Sequence, residues 1–269
     1  MPEKKSYPVL AGIVCIFQIV SFYVIGIWVF PLLSSDIILP VFFLFAGAEA
    51  AICIVIARLH REVLACSIFF VLWGLIMFLP KSWMIFVVYL YYSLVPYLIL
   101  ILTVPYFKSA REWLKWGRID RVTLILLIAT VAVTSGALTL WTYLVKPDMR
   151  GFLSVIPFDN TPLFILMMLG FSLFNAIGEE AIFRGILQHG LSRAFPPVAV
   201  ILIQGVMFGA IHFHGYPSGI SGVALASVYG IGLGWIRQRS GGMLAPLLAH
   251  FFADLTIFLI VALTHGNLG

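Results

Sequence analysis

Charge is scarce in this chain: Asp, Glu, Lys and Arg make up only 10% of its 269 residues, whereas a soluble globular domain averages about 25%. That shortfall excludes an ordinary water-facing globular surface. Cysteine is scarce as well. Cys15, Cys53 and Cys66 stand singly in apolar segments with no paired spacing, which excludes a disulfide framework or a cysteine metal knot and leaves them as small core residues. A cleavable signal is missing too. The first apolar run, Val9 to Leu33, exceeds the ~7–15 residues of a signal core and no small-residue cleavage site follows it, so it reads as a first transmembrane helix.

What is abundant is apolar: 62% of the residues, with a mean hydropathy of +1.10. A window of about 20 apolar residues per span divides the chain near 9–33, 37–57, 63–80, 84–107, 122–145, 162–190, 197–214, 218–236 and 243–264. The expected fold is all-α, a polytopic membrane bundle of about eight to nine transmembrane helices. Placing the N-terminus in the cytoplasm puts Lys4, Lys5, Arg58, Arg61, Lys108, Arg111, Lys115, Arg118, Arg121, Arg193, Arg237 and Arg239 inside and only Lys81, Lys146 and Arg150 outside. This asymmetry obeys the positive-inside rule. The formal net charge of +5 therefore speaks of lipid and orientation, with no nucleic-acid partner. Residues 108–121 mix cations with Trp113 and Trp116, the pattern of an interfacial basic segment on an anionic leaflet.

Residues 1–150 otherwise carry little chemistry. Glu49 stands alone among Ala and Gly in the second span, a carboxyl expected to hydrogen-bond across helices. Residues 151–269 hold three polar clusters: Glu179-Glu180-Ala-Ile-Phe-Arg184, then Phe208 followed by His212, then His250 followed by Asp254. A charge at bilayer depth costs at least ~2.5 kcal/mol, and such residues mark transport, proton relay or catalysis. Glu180 and Arg184 are i and i+4 in the favourable order and can neutralise one another. Glu179 points about 100° away and is free to face another helix, which assigns chemistry to the first glutamate and support to the second. His250 and Asp254 repeat the i, i+4 spacing. At ~1.5 Å per residue from the cytoplasmic ends of their spans, Glu179 lies ~16 Å deep, His250 ~12 Å and His212 ~22 Å, so one buried site is the economical reading. Unrelated interhelical hydrogen bonds are the plainer one.

Taken in order, Glu-Glu-x-x-x-Arg, Phe-x-x-x-His and His-x-x-x-Asp over residues 179–254 resemble the CPBP family of intramembrane proteases, which includes CaaX-prenyl endopeptidases and bacterial abortive-infection-type proteins. Asp254 stands where CaaX enzymes carry Asn, so the resemblance is closer to the bacterial members. It implies an intramembrane endopeptidase in which Glu179, helped by His212, activates water. His250 and Asp254 would stabilise the oxyanion, and Glu180, Arg184 and Phe208 would support the site. No cofactor is needed on that reading. The alternative is a zinc metallopeptidase with Glu179, His212 and His250 as ligands, ranked second because no His-Glu-x-x-His turn is present. Outside enzymes, a transporter or a non-catalytic membrane scaffold would use the same residues. Transporters usually show related halves, and here the polar chemistry sits in one half. Gly219-Ile-Ser221-Gly222 matches a rhomboid-like serine motif, but Ser221 begins the eighth span at the outer face, roughly 15–20 Å along the normal from His250. Gly222, Ala226, Gly230 and Gly234 read instead as a close-packing stripe. The implied partners are the bilayer and a membrane-associated peptide or protein substrate: a prenylated CaaX tail, favoured least because of Asp254, a peptide leader or a regulatory protein. The implied location is a bacterial plasma membrane.

Overall fold

The computed structural model describes residues 7–24, 35–76 and 86–268, which are helical throughout apart from short connections, with no strand among them. The α-helices are α1 (Pro8–Val24), α2 (Ser35–Leu59), α3 (Arg61–Ile76), α4 (Phe86–Thr103), α5 (Arg121–Val145), α6 (Arg150–Leu153), α7 (Thr161–Glu180), α8 (Gln188–Leu191), α9 (Pro197–Ile211), α10 (Gly219–Ser240) and α11 (Leu244–Leu268). Six segments are long and apolar enough to cross a bilayer: Pro40–Leu59, Arg121–Val145, Thr161–Leu191, Pro197–His214, Gly219–Ser240 and Leu244–Thr264. The chain is thus an integral, multi-pass membrane protein. The first, third and fourth expected spans run into residues 25–34 and 77–85, which lie outside the described residues, as do Lys4, Lys5 and Lys81.

One compact unit comprises Met1–Trp113 and Ile186–Val200. Its core is aromatic, with Phe69, Phe70, Trp73 and Tyr97 buried against one another. A polar knot crosses it. Glu49 Oε2 accepts from Gln18 Nε2 at 2.7 Å, and Ser67 Oγ donates to Gln18 Oε1 at 2.6 Å. Glu49 is therefore held across helices, as its isolation in the sequence suggested. The three cysteines are free. Gly190 lies directly against Cys66, and Arg193 reaches Glu62 at 3.4 Å and Glu112 at 2.8 Å.

The other unit comprises Leu114–Gly185 and Ile201–Gly269. Here α11 packs against α5, α7 and α10, with Leu127, Leu233, Ile236, Ala245 and Ala249 in one core cluster and Met149, Ile156, Phe258 and Val261 in another. Where α10 approaches α9, glycines remove the side chains that would hold the backbones apart. A Cβ on Gly230 would stand 3.1 Å from Gly205 Cα, and one on Gly209 would lie 2.5 Å from Val223 O and 2.8 Å from Ser227 N. Gly234 also faces α9, at Gln204, whereas Gly222 meets the Pro217 backbone. Gly209→Val should accordingly destabilise the unit by about 1–3 kcal/mol or more through overpacking, read as a lower melting midpoint in detergent. A wild-type midpoint would contradict this packing.

The basic segment departs from a simple surface helix. Pro105–Trp113 is 3₁₀-helical with a kink at Phe107, and Phe107 and Trp113 are buried, while 114–120 has no regular secondary structure. Trp116 alone of the tryptophan pair is exposed. The irregular stretch clasps the α10–α11 turn: Met243 N donates to Lys115 O at 2.7 Å, Leu244 N to Trp116 O at 3.0 Å, and Arg118 N to Ser240 O at 2.9 Å. Gly117 adopts φ +77° and its Cα approaches Gly242 so closely that a side chain has no room. Backbone hydrogen bonds to these partners, in place of helical ones, explain why the helix stops at Trp113. Asp120 caps α5 by accepting from Thr123 N at 2.8 Å and pairs with Arg239 at 2.7 Å. The Thr123 N–H chiefly, then Arg239, holds its carboxyl below the usual range. Lys115, Arg118, Arg237 and Arg239 thus gather at one end of the unit.

Candidate active site

The sequence clusters come together in the second unit, on α7 and the turn after it, on α9 and the 3₁₀ turn His212–His214 that follows it, and on α11. Asn160 fixes the start of α7, its side chain accepting from Leu163 N at 3.1 Å, and the last turn of α7 carries Glu179 and Glu180. Immediately afterwards the backbone widens into a π-helix, Ala181–Leu187. Such i→i+5 turns are rare and occur mostly as single turns near functional sites. Arg184 lies within it, fully buried.

His250 is the hub. Its Nδ1 donates to Glu180 Oε1 at 2.7 Å, while its Nε2 stands 3.6 Å from Glu179 Oε2 and 3.7 Å from Asp254 Oδ1. Glu180 Oε1 also accepts from Arg184 Nη1 at 2.8 Å. The expected i, i+4 pair is present, but the same carboxylate orients the histidine, so the second glutamate does more than support its own helix. Asp254 Oδ2 accepts from Asn175 Nδ2 at 3.1 Å. Three acids thus surround one imidazole, with one permanent cation nearby. All of these residues are buried, and Glu179 Oε2 has no hydrogen-bond partner.

Phe208 is the wedge beneath the hub. Its ring lies 4.4 Å from the Arg184 guanidinium carbon, edge-on to Phe183, 4.7 Å from the His212 ring and 5.7 Å from that of His250. Arg184 Nη2 and Gln204 Nε2 both donate to the Gly230 carbonyl, at 3.2 and 2.8 Å. His212 Nδ1 donates to Phe208 O at 2.9 Å; a carbonyl only accepts, so Nε2 is the nitrogen left with a lone pair in a neutral ring. No hydrogen bond or ion pair joins His212 to Glu179 among the described residues.

A cavity of about 480 Å³ opens beside the hub, walled by His212, Tyr229, His250 and Asp254 and by small side chains of α5 such as Ala129 and Ala137. Glu179 is not part of that wall; it lies behind His250. Val133 and Val228 at the rim are exposed. Ser221 accepts from Trp141 Nε1 at 3.0 Å, while both nitrogens of His250 face carboxylates, so His250 is not placed as a base for the serine motif. As for a metal, no three His, Cys, Asp or Glu side chains among the described residues are grouped to hold one. Glu179, His212 and His250, the ligands expected for zinc, are not grouped in that way.

Sequence reasoning missed Asn175, Gln204 and Tyr229. The first two had a signal: each lies four residues before a motif residue, Glu179 or Phe208, and so shares its helix face. Tyr229 had none.

Residues 161–256 match the family model of type II CAAX prenyl endopeptidases, Rce1-like, a stretch that holds every residue of the three clusters. No curated protein and no solved structure matches the chain.

Proposed function

We propose that this protein is an intramembrane endopeptidase that hydrolyses a peptide bond in membrane-associated or lipidated substrates, using water activated by Glu179. The observation that carries the reading is Glu179 Oε2, buried without a hydrogen bond and 3.6 Å from His250 Nε2. That separation is too long for a hydrogen bond, yet one water can touch both atoms at ordinary distance.

Glu179 takes a proton from this water as its oxygen bonds to the scissile carbonyl carbon. The displaced π pair becomes an oxyanion, stabilised by His250, which Glu180 and Asp254 orient. When the C–N bond breaks, the amine leaves with the proton held by Glu179. His212, its Nδ1 fixed by Phe208 O, presents Nε2 to water at the cavity wall. Arg184 and Phe208 hold the helices in register. About eight to nine crossings, a cytoplasmic N-terminus and a bacterial plasma membrane complete the proposal. The cavity would then receive a peptide from the cytoplasmic side or through the lipid-facing rim. A prenylated CaaX peptide, which the matched family's name brings forward, is the first probe.

Zinc has no step in this scheme. Activity is expected to survive exhaustive chelation, with bound Zn²⁺ well below one per chain. Loss on chelation and recovery on adding Zn²⁺ would establish the metallopeptidase instead. A transporter or a non-catalytic scaffold would show no cleavage by the purified wild type beyond that of Glu179→Gln.

A further inference from the structure

Tyr229 lies on α10, on the cavity wall beside His250 and Asp254. Its ring meets that of His250 edge-on at 5.9 Å and that of Phe208 at 6.2 Å. Its hydroxyl oxygen is buried and has no hydrogen-bond partner. An unpartnered buried hydroxyl is unfavourable by about 1–3 kcal/mol, and phenylalanine would fill the same space without it. Packing gives no reason for the oxygen.

The chemistry of the neighbouring site does. An oxyanion forming beside Glu179, Glu180 and Asp254 needs donors that are not themselves negative. Asp254 accepts from Asn175, and a carboxylate can do nothing else. Arg184 is committed to Glu180 and the Gly230 carbonyl and does not reach the cavity wall. His250 has given Nδ1 to Glu180, which leaves Nε2 alone. Packed against His250 on the same wall, Tyr229 offers a further uncommitted donor, a neutral phenol.

We propose that the Tyr229 hydroxyl is a further catalytic residue, donating a hydrogen bond to the oxyanion formed when water attacks the scissile carbonyl; this rests on the peptidase reading of the same site. The tyrosine keeps its proton throughout, and no bond to it is made or broken. Its neutrality suits it to the place, since it adds a donor without adding a charge to a cluster that already holds five ionisable side chains.

The test uses the full-length protein in phosphatidylcholine vesicles with two quenched fluorescent probes, an S-farnesyl-cysteine CaaX peptide and an unmodified single-span peptide. Tyr229→Phe should lower kcat about 10²-fold, keep KM within about twofold of wild type, and leave the melting midpoint equal or higher because an orphaned hydroxyl has gone. An unchanged kcat overturns the proposal. So does a fall in melting midpoint alongside kcat, which would give the hydroxyl a structural partner. Glu179→Gln separates the two levels. If the wild type cleaves a probe, Glu179→Gln does not, and Tyr229→Phe is as fast as wild type, the tyrosine alone is rejected. If the wild type cleaves neither probe, or Glu179→Gln matches it, the peptidase reading fails and the tyrosine's role falls with it.

Discussion

Glu179→Gln protein is expected to reach the membrane, melt near the wild-type midpoint and cleave about 10²–10⁴-fold more slowly, the range a general base contributes. The amide keeps the shape of the side chain but cannot take water's proton. Stability should hold because Glu179 Oε2 has no hydrogen bond to lose, and removing one of three clustered acids relieves like-charge repulsion. Progress curves on the farnesylated probe, beside a thermal melt of the same preparation, measure both. Wild-type turnover by the variant would remove Glu179 from the mechanism.

Glu180→Gln should behave oppositely in stability. Its carboxylate is the ion-pair partner of fully buried Arg184 and the acceptor for His250 Nδ1. Removing one member of a buried pair leaves an uncompensated charge at a cost of about 3–5 kcal/mol, so the melting midpoint should drop by on the order of 10 °C. Activity falls as well, because the imidazole loses its orienting acceptor. The double variant Glu180→Gln/Arg184→Met distinguishes the two jobs. An apolar replacement for the cation should restore much of the stability without restoring turnover. A Glu180→Gln protein as stable as wild type would show that Arg184 is satisfied without it.

Particular residues show how far the sequence could be read. The charged residues of 179–184 gave the site because a polar group in an apolar run must have a partner, and i, i+4 spacing named Arg184 as the partner of Glu180. The same spacing put Asp254 beside His250. What the spacing could not express is that one carboxylate serves two partners. Glu180 is reached by Arg184 from its own helix and by His250 from α11, and contacts between helices distant in sequence have no local signature. Depth counting brought Glu179, His212 and His250 to one level but could not see the Phe208 ring against both imidazoles, nor that Glu179 lies behind the cavity wall. In the fold, hydropathy found the long helices. It gave residues 108–121 as a surface element and could not foresee that Trp113 is buried or that Gly117 lets the chain clasp the α10–α11 turn, because burial of a single tryptophan depends on what it meets.

The π-helical turn at Ala181–Leu187 has a consequence at the level of the gene. A π turn closes its ring one residue later than an α turn, so this stretch is, in effect, one codon longer than a continuous α-helix would need. Glu179 and Glu180 sit before the extra residue, and the rest of the helix after it. The codon acts as an angular offset of about 100° between the acids and the residues that close the turn. A chain that lost Gly185, for example, would keep every motif letter and every hydrophobic residue, yet would turn the residues of this stretch to different directions. Two sequences could thus share these motifs in full while only one of them could assemble the site.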